Sequence, residues 1–185
     1  MSKIEAVVLG QLPVGFSEGE KYMTNNDFDK VFSSTTSKYM GQRVIRPPLW
    51  GCSAASVGPI MFLGRGLHND DCGCKTLRHE HGHYLDYKDL GFLKYFLGMA
   101  LPSAINASRK PEKRRIAGYY NQPWEFRADK LAEVSRDEHT EEAIALCDAY
   151  YKYLKSLRGT RWFTFLFKDL WAFINHDLKA LEALY

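Results

Sequence analysis

Residues 76–87 read TLRHEHGHYLDY, and within positions 79–83 lie three histidines and a glutamate. Imidazole nitrogens bind transition metals, and a carboxylate beside them can move a proton. His79 and His83 are four apart, about 400° of rotation on an α-helix, so both rings leave nearly the same face one turn apart. Two nitrogens so placed can share one tetrahedral Zn2+. Glu80 lies about 100° around from His79, where it can reach a metal-bound water without ligating the metal. This is the HExxH arrangement, whose mechanics are those of a metalloprotease. His81 points about 200° away from His79 and is not expected to be a ligand. The competing reading is a helix surface of polar residues. Against it stand Gly82, which leaves room beside the histidines, and the apolar residues on either side.

Catalytic zinc usually takes three protein groups. Downstream, NQPWEFRADKLAEV places Glu125 and Asp129 four apart on an expected helix, again on one face. Glu125 can complete a His2Glu set. Asp129 can accept a hydrogen bond from the far nitrogen of a ligating histidine, His79 for preference, and so fix its tautomer. Standing alone, the pair would read as exposed carboxylates on a surface helix.

RHEHGHYLDY followed by WEFRADKLAEV resembles the zinc metallopeptidases of the zincin superfamily on the gluzincin side, where a glutamate is the third ligand. EFRADKLA is similar to the ExxxD helix of the membrane-associated M48-type endopeptidases. The wider layout, HEHGHYLDYKDLG, LPS, WEFRAD, also resembles small zincin-like domains of bacteria and their phages. The likeness covers roughly residues 75–135 and rests on His79, Glu80, His83, Glu125 and Asp129. It implies a Zn2+ cofactor, a peptide or protein substrate, and Glu80 as general base and then acid. Tyr119 and Tyr120, just upstream of Glu125, are the expected donors to a tetrahedral oxyanion; packing is their alternative role. Unlike the M48 enzymes, the chain shows no convincing membrane-spanning segment. Two other readings stay open: a catalytically silent zincin-like module that binds zinc or a partner, and a protease effector acting on one host protein. A fourth ligand from Cys72 or Cys74 in DCGC would favour the silent module.

Positioning these groups requires a scaffold, and the pattern predicts strands first and helices after: an α+β domain over 1–185. Residues 1–74 form the strand-rich part, 75–135 the metal-site helices and 136–185 the C-terminal helices. Strands are expected at Ile4–Gly10, Gln42–Arg46 and Gly58–Gly64, with PPLWGCSAAS as a turn region between the last two. The strand before the motif helix is expected either as an edge that pairs with extended substrate or as an interior strand. A short helix capped by Asn25 or Asn26 is expected between the first two strands. The motif helix should begin near Lys75 and stop at Gly91. Further helices are expected from Pro123, from the Thr140 cap to Gly159, and from Thr160 to the end. LGFLKYFLGMALPSAI, interrupted by Lys94, Gly98 and Pro102, reads as a buried helix and turn beneath the metal. In WFTFLFKDLWAFI core packing is expected first, with a membrane-surface or oligomer contact as the alternative.

Composition narrows the classes. The chain has 185 residues, 45% hydrophobic and 25% charged, enough for a real core without disulfides. A net charge of +3 spread along the chain does not point to nucleic acid, and SRKPEKRR reads as a solvated loop. No export signal is visible at the N-terminus, which gives a cytoplasmic expectation without excluding secretion. The four cysteines show no CxxC pairing and fit a reducing compartment.

Overall fold

Two short hairpins build the sheet. β1 (Thr36–Tyr39) and β2 (Gln42–Ile45) are antiparallel and joined by Met40 and Gly41. Their φ values of 46° and 83° are both positive, as a two-residue type I′ turn requires. β3 (Ala54–Val57) and β4 (Ile60–Leu63) form the second hairpin around Gly58 and Pro59, with Gly58 at φ 55°. β2 and β4 run parallel, giving a mixed sheet in the order β1-β2-β4-β3. This computed structural model describes residues 25–108, 119–137 and 139–175. The strand expected at Ile4–Gly10, and all of SRKPEKRR after Ser108, lie outside them.

One sheet face carries Tyr39, Val44, Met61 and Leu63. They bury against Val31 and Phe32 of α1 (Asn25–Ser33) and Leu77 of α2 (Asp71–Leu90). Two features differ from expectation. The expected turn region 47–56 contains the start of β3, and β1 joins the sheet from a polar stretch. β4 is not an edge: β2 and β3 occupy both its sides, and the edge lying against α2 is β3.

α2 starts at Asp71, ahead of Lys75, because the Asp70 carboxylate accepts the Gly73 N–H at 2.7 Å. It ends where Gly91 turns to φ 76°. Where a helix and turn are expected next, α3 (Phe92–Tyr95), a π-helical turn (Phe96–Ala100) and α4 (Leu101–Ser108) follow one another without a break. Pro102 cannot donate to the Gly98 carbonyl one turn earlier. The Tyr150 hydroxyl of α6 (Glu141–Ser156) donates to that carbonyl instead. The helix therefore passes through the proline, and the wide turn resets its phase.

α5 (Pro123–Leu131) has Pro123 in its first turn, and Thr140 caps α6 by accepting from the Ala143 N–H. Beyond lie α7 (Arg161–Thr164), a second π-helical turn (Phe165–Asp169) and α8 (Leu170–Asn175). Leu90, Tyr95, Met99, Trp124, Tyr150, Leu154, Phe165 and Phe173 pack into a second buried cluster. α2 thus gives Leu77 to one cluster and Leu90 to the other, with positions 79–83 between them. The architecture is α+β and mostly helical. Among the described residues no helix is long and apolar enough to cross a membrane.

Candidate metal centre

α2 and α5 cross in backbone contact. A Cβ on Gly82 would lie 2.0 Å from the Ala128 carbonyl oxygen, so only a hydrogen fits there. The room that Gly82 leaves is filled by α5, and this brings Glu125 and Asp129 against the two histidines. All four side chains are buried, as is Glu80.

Glu125 Oε2 lies 3.0 Å from His79 Nε2 and 3.4 Å from His83 Nε2. The other carboxylate oxygen, Oε1, accepts from the Ser103 hydroxyl of α4. Asp129 Oδ1 lies 2.8 Å from His79 Nδ1. Arg136 donates to both Asp129 oxygens, at 2.6 and 3.3 Å, and His139 Nε2 lies 3.2 Å from Oδ2. Burial alone would raise the Asp129 pKa, but His79 and Arg136 outweigh it and hold the carboxyl below its usual range.

These contacts determine where protons sit. An ionised Asp129 only accepts, so His79 Nδ1 carries hydrogen and a neutral ring would present a lone pair at Nε2. That lone pair would face Glu125 Oε2, another acceptor, at 3.0 Å. The contact needs a hydrogen or a cation between the two atoms: a second proton on the imidazole, a proton on the carboxyl, or a bound cation. Burial lowers the His79 pKa, yet the bonds to Asp129 and Glu125 prevail and raise it to about 10. The same contacts hold Glu125 far below the usual carboxylate range against its burial.

The donor set also fits an ion geometrically. A tetrahedral zinc with bonds of about 2.0–2.1 Å sets its ligand atoms roughly 3.3 Å apart. The 3.0 and 3.4 Å separations to Glu125 Oε2 bracket that value, and one donor atom from each of His79, His83 and Glu125 falls within 4.8 Å of the others. Cys72 and Cys74 are not part of this group. They sit at the start of α2, five to seven residues and so roughly 8–10 Å along the axis from His79. Cys74 Sγ is within 3.2 Å of Asn69 Oδ1 instead.

Glu80 has one carboxylate oxygen, Oε2, buried without a hydrogen-bond partner among the described residues. Burial pushes its carboxyl up, opposed by His83 and His79. Its backbone carbonyl accepts from Ser56 Oγ of β3 at 2.7 Å, tying the sheet edge to the motif. The Gly64 N–H to Ser53 carbonyl bond sets the β3–β4 register, and alternation then turns the N–H and C=O of Ala54 and Ser56 toward the free edge. The Ser56 carbonyl there is taken by the Tyr95 hydroxyl at 2.8 Å.

Tyr119 and Tyr120 reach the centre in different ways. The Tyr119 hydroxyl is 3.2 Å from Ser103 Oγ, and burial followed by the Glu125 charge raises its pKa beyond the usual range. Tyr120 sets its ring edge against the His79 ring while the Arg136 guanidinium lies over it, 3.4 Å from the centroid. His81 is buried against Tyr39, away from the ligand group. Ser103, Arg136 and His139 complete the surroundings and are absent from the sequence reading. Ser103 sits in the LPS segment, where a hydroxyl between apolar residues was the available signal. Arg136 and His139 lie in a loop without periodicity. In comparisons with known proteins, no protein-family model matches the chain, and neither the curated proteins nor the solved structures gave a match.

Proposed function

We propose that this chain is a zinc-dependent peptidase of the zincin type, with His79, His83 and Glu125 holding the metal and Glu80 moving the proton. One observation carries the reading. Two imidazole nitrogens and one carboxylate oxygen converge on a buried point, with Asp129 fixing His79 from behind. Bound zinc would supply Lewis acidity toward a carbonyl and a water.

The chain's own residues do the rest. Asp129, held by Arg136, keeps the proton on His79 Nδ1 and frees Nε2 as a donor of electrons. Ser103 occupies Glu125 Oε1 and leaves Oε2 for the centre. Glu80, with a buried unpartnered oxygen and a raised pKa, is suited to take a proton from water and return it to a leaving amine. The Tyr119 hydroxyl, 3.2 Å from Ser103 Oγ, would donate toward developing negative charge, while the Tyr120 ring packs on His79. An extended peptide along the outer edge of β3 would find the N–H and C=O of Ala54.

The burial of all three ligands and Glu80 also favours a second reading, a zinc-binding module without turnover. Metal content by mass spectrometry on the wild type, Glu125→Ala and Glu80→Gln tests the ligand set. One zinc in the wild type, its loss in Glu125→Ala and its retention in Glu80→Gln are expected. A wild type that takes up no zinc would overturn both readings. Peptide cleavage by the wild type that Glu80→Gln abolishes separates the peptidase from the silent module.

A further inference from the structure

The last described helical segment has two apolar faces. Phe165, Leu170 and Phe173 enter the core and Trp162, Leu166 and Ala172 pack against it, which meets the packing expectation for much of WFTFLFKDLWAFI. Three side chains face outward instead: Phe163, Phe167 and Trp171 are 65%, 79% and 48% exposed. In a plain α-helix each step of four overshoots a full turn by about 40°. The wider π-helical turn at Phe165–Asp169 offsets that drift, so the three rings form one outward ridge.

Among the described residues from 149 to 175 the exposed charges have one sign. Lys152, Lys155, Arg158, Arg161 and Lys168 are exposed, while Asp169, the only acid between 149 and 175, is buried against the Tyr153 hydroxyl. Lys155 shares its charge with Asp89 at 2.9 Å. Lys94 Nζ donates to the Lys155 carbonyl at 3.1 Å, which brings α3 beside this collar. α3 and the residue after it expose Phe92, Leu93 and Phe96, and the rings of Phe92 and Phe96 stack.

We propose that the Phe163–Phe167–Trp171 ridge and its cationic collar dock on an anionic lipid surface, lying on it without crossing. Aromatic side chains flanked by Lys and Arg suit the boundary between acyl chains and acidic headgroups. A second copy of the chain is disfavoured, because a two-fold contact through this face would set like charges against each other. A groove-filling peptide is disfavoured too, since the side chains protrude. The proposal is independent of the metal centre.

The test is co-sedimentation of the full chain with vesicles of phosphatidylcholine alone and with about 30% phosphatidylserine added. Binding to the acidic vesicles, weakened by salt and absent on the neutral ones, is expected. Combining Phe163→Ser, Phe167→Ser and Trp171→Ser should reduce it by about tenfold or more. Arg161→Glu with Lys168→Glu should do the same by a route that leaves the rings in place. Both variants touch exposed positions, so circular dichroism should be unchanged. Three results overturn the proposal: no binding by the wild type, equal binding to both vesicle types, or undiminished binding by the ring variant. A wild-type dimer that the ring variant dissociates, with no vesicle binding, would assign the ridge to a second copy instead.

Discussion

Asp129 is the residue on which the centre turns. It meets His79 on one side and Arg136 and His139 on the other, so its charge is compensated from outside while it orients a ring inside. On the proposed reading, Asp129→Asn keeps the shape and loses the charge, and zinc affinity should fall about 10- to 100-fold by competition with a chelating dye. The metal-free protein carries a pH signature of the same contacts. His79 is raised from 6.5 to about 10, so its contribution to stability is complete below pH 6.5 and fades as pH climbs toward 10. Melting of the chelated wild type should show this decline, and His79→Gln should reduce it. Equal slopes in the two would mean that His79 is not protonated in the folded metal-free state. The four ring and carboxylate positions were legible in the sequence because a spacing of four fixes a helical face. Ser103 and Arg136 were not, since their partners come from other segments and no periodicity connects them.

At the scale of elements, the crossing of α2 and α5 places the proposed ligands. An alanine in a helix normally stabilises relative to glycine by about 0.5–1 kcal/mol. Gly82→Ala should reverse that sign, because its methyl would meet the Ala128 carbonyl. We expect a loss of about 1–3 kcal/mol in urea unfolding and a clear loss of zinc affinity. A stabilised variant would show that the helices separate freely. The long helices were readable from caps and spacing: Asp70, Gly91, Pro123 and Thr140 each mark an end. β1 and β3 were not readable. Each has four residues, polar or small in type, and pairs along one side only, so its identity as a strand comes from the neighbour it meets. The π-helical turn before Pro102 was likewise hidden, because the Tyr150 hydroxyl that supports it at the Gly98 carbonyl arrives from 52 residues further along.

Over the whole molecule, the sheet cluster and the helical cluster are joined by α2, with the candidate centre at the junction. An ion held there by α2 and α5 binds the folded chain and not the unfolded one, so it adds stability by mass action, about 2.7 kcal/mol at a free concentration one hundred times Kd. Chelation should therefore lower the melting temperature of the wild type and leave that of Glu125→Ala unmoved. The ligands themselves are shut away from solvent, yet Asp129 extends their contacts to Arg136 and His139, whose side chains are 17% and 16% exposed. The loop that carries them is thus a gauge on the outside of a buried centre. A resonance from the His139 ring would register a change at His79 from a position nearer the solvent.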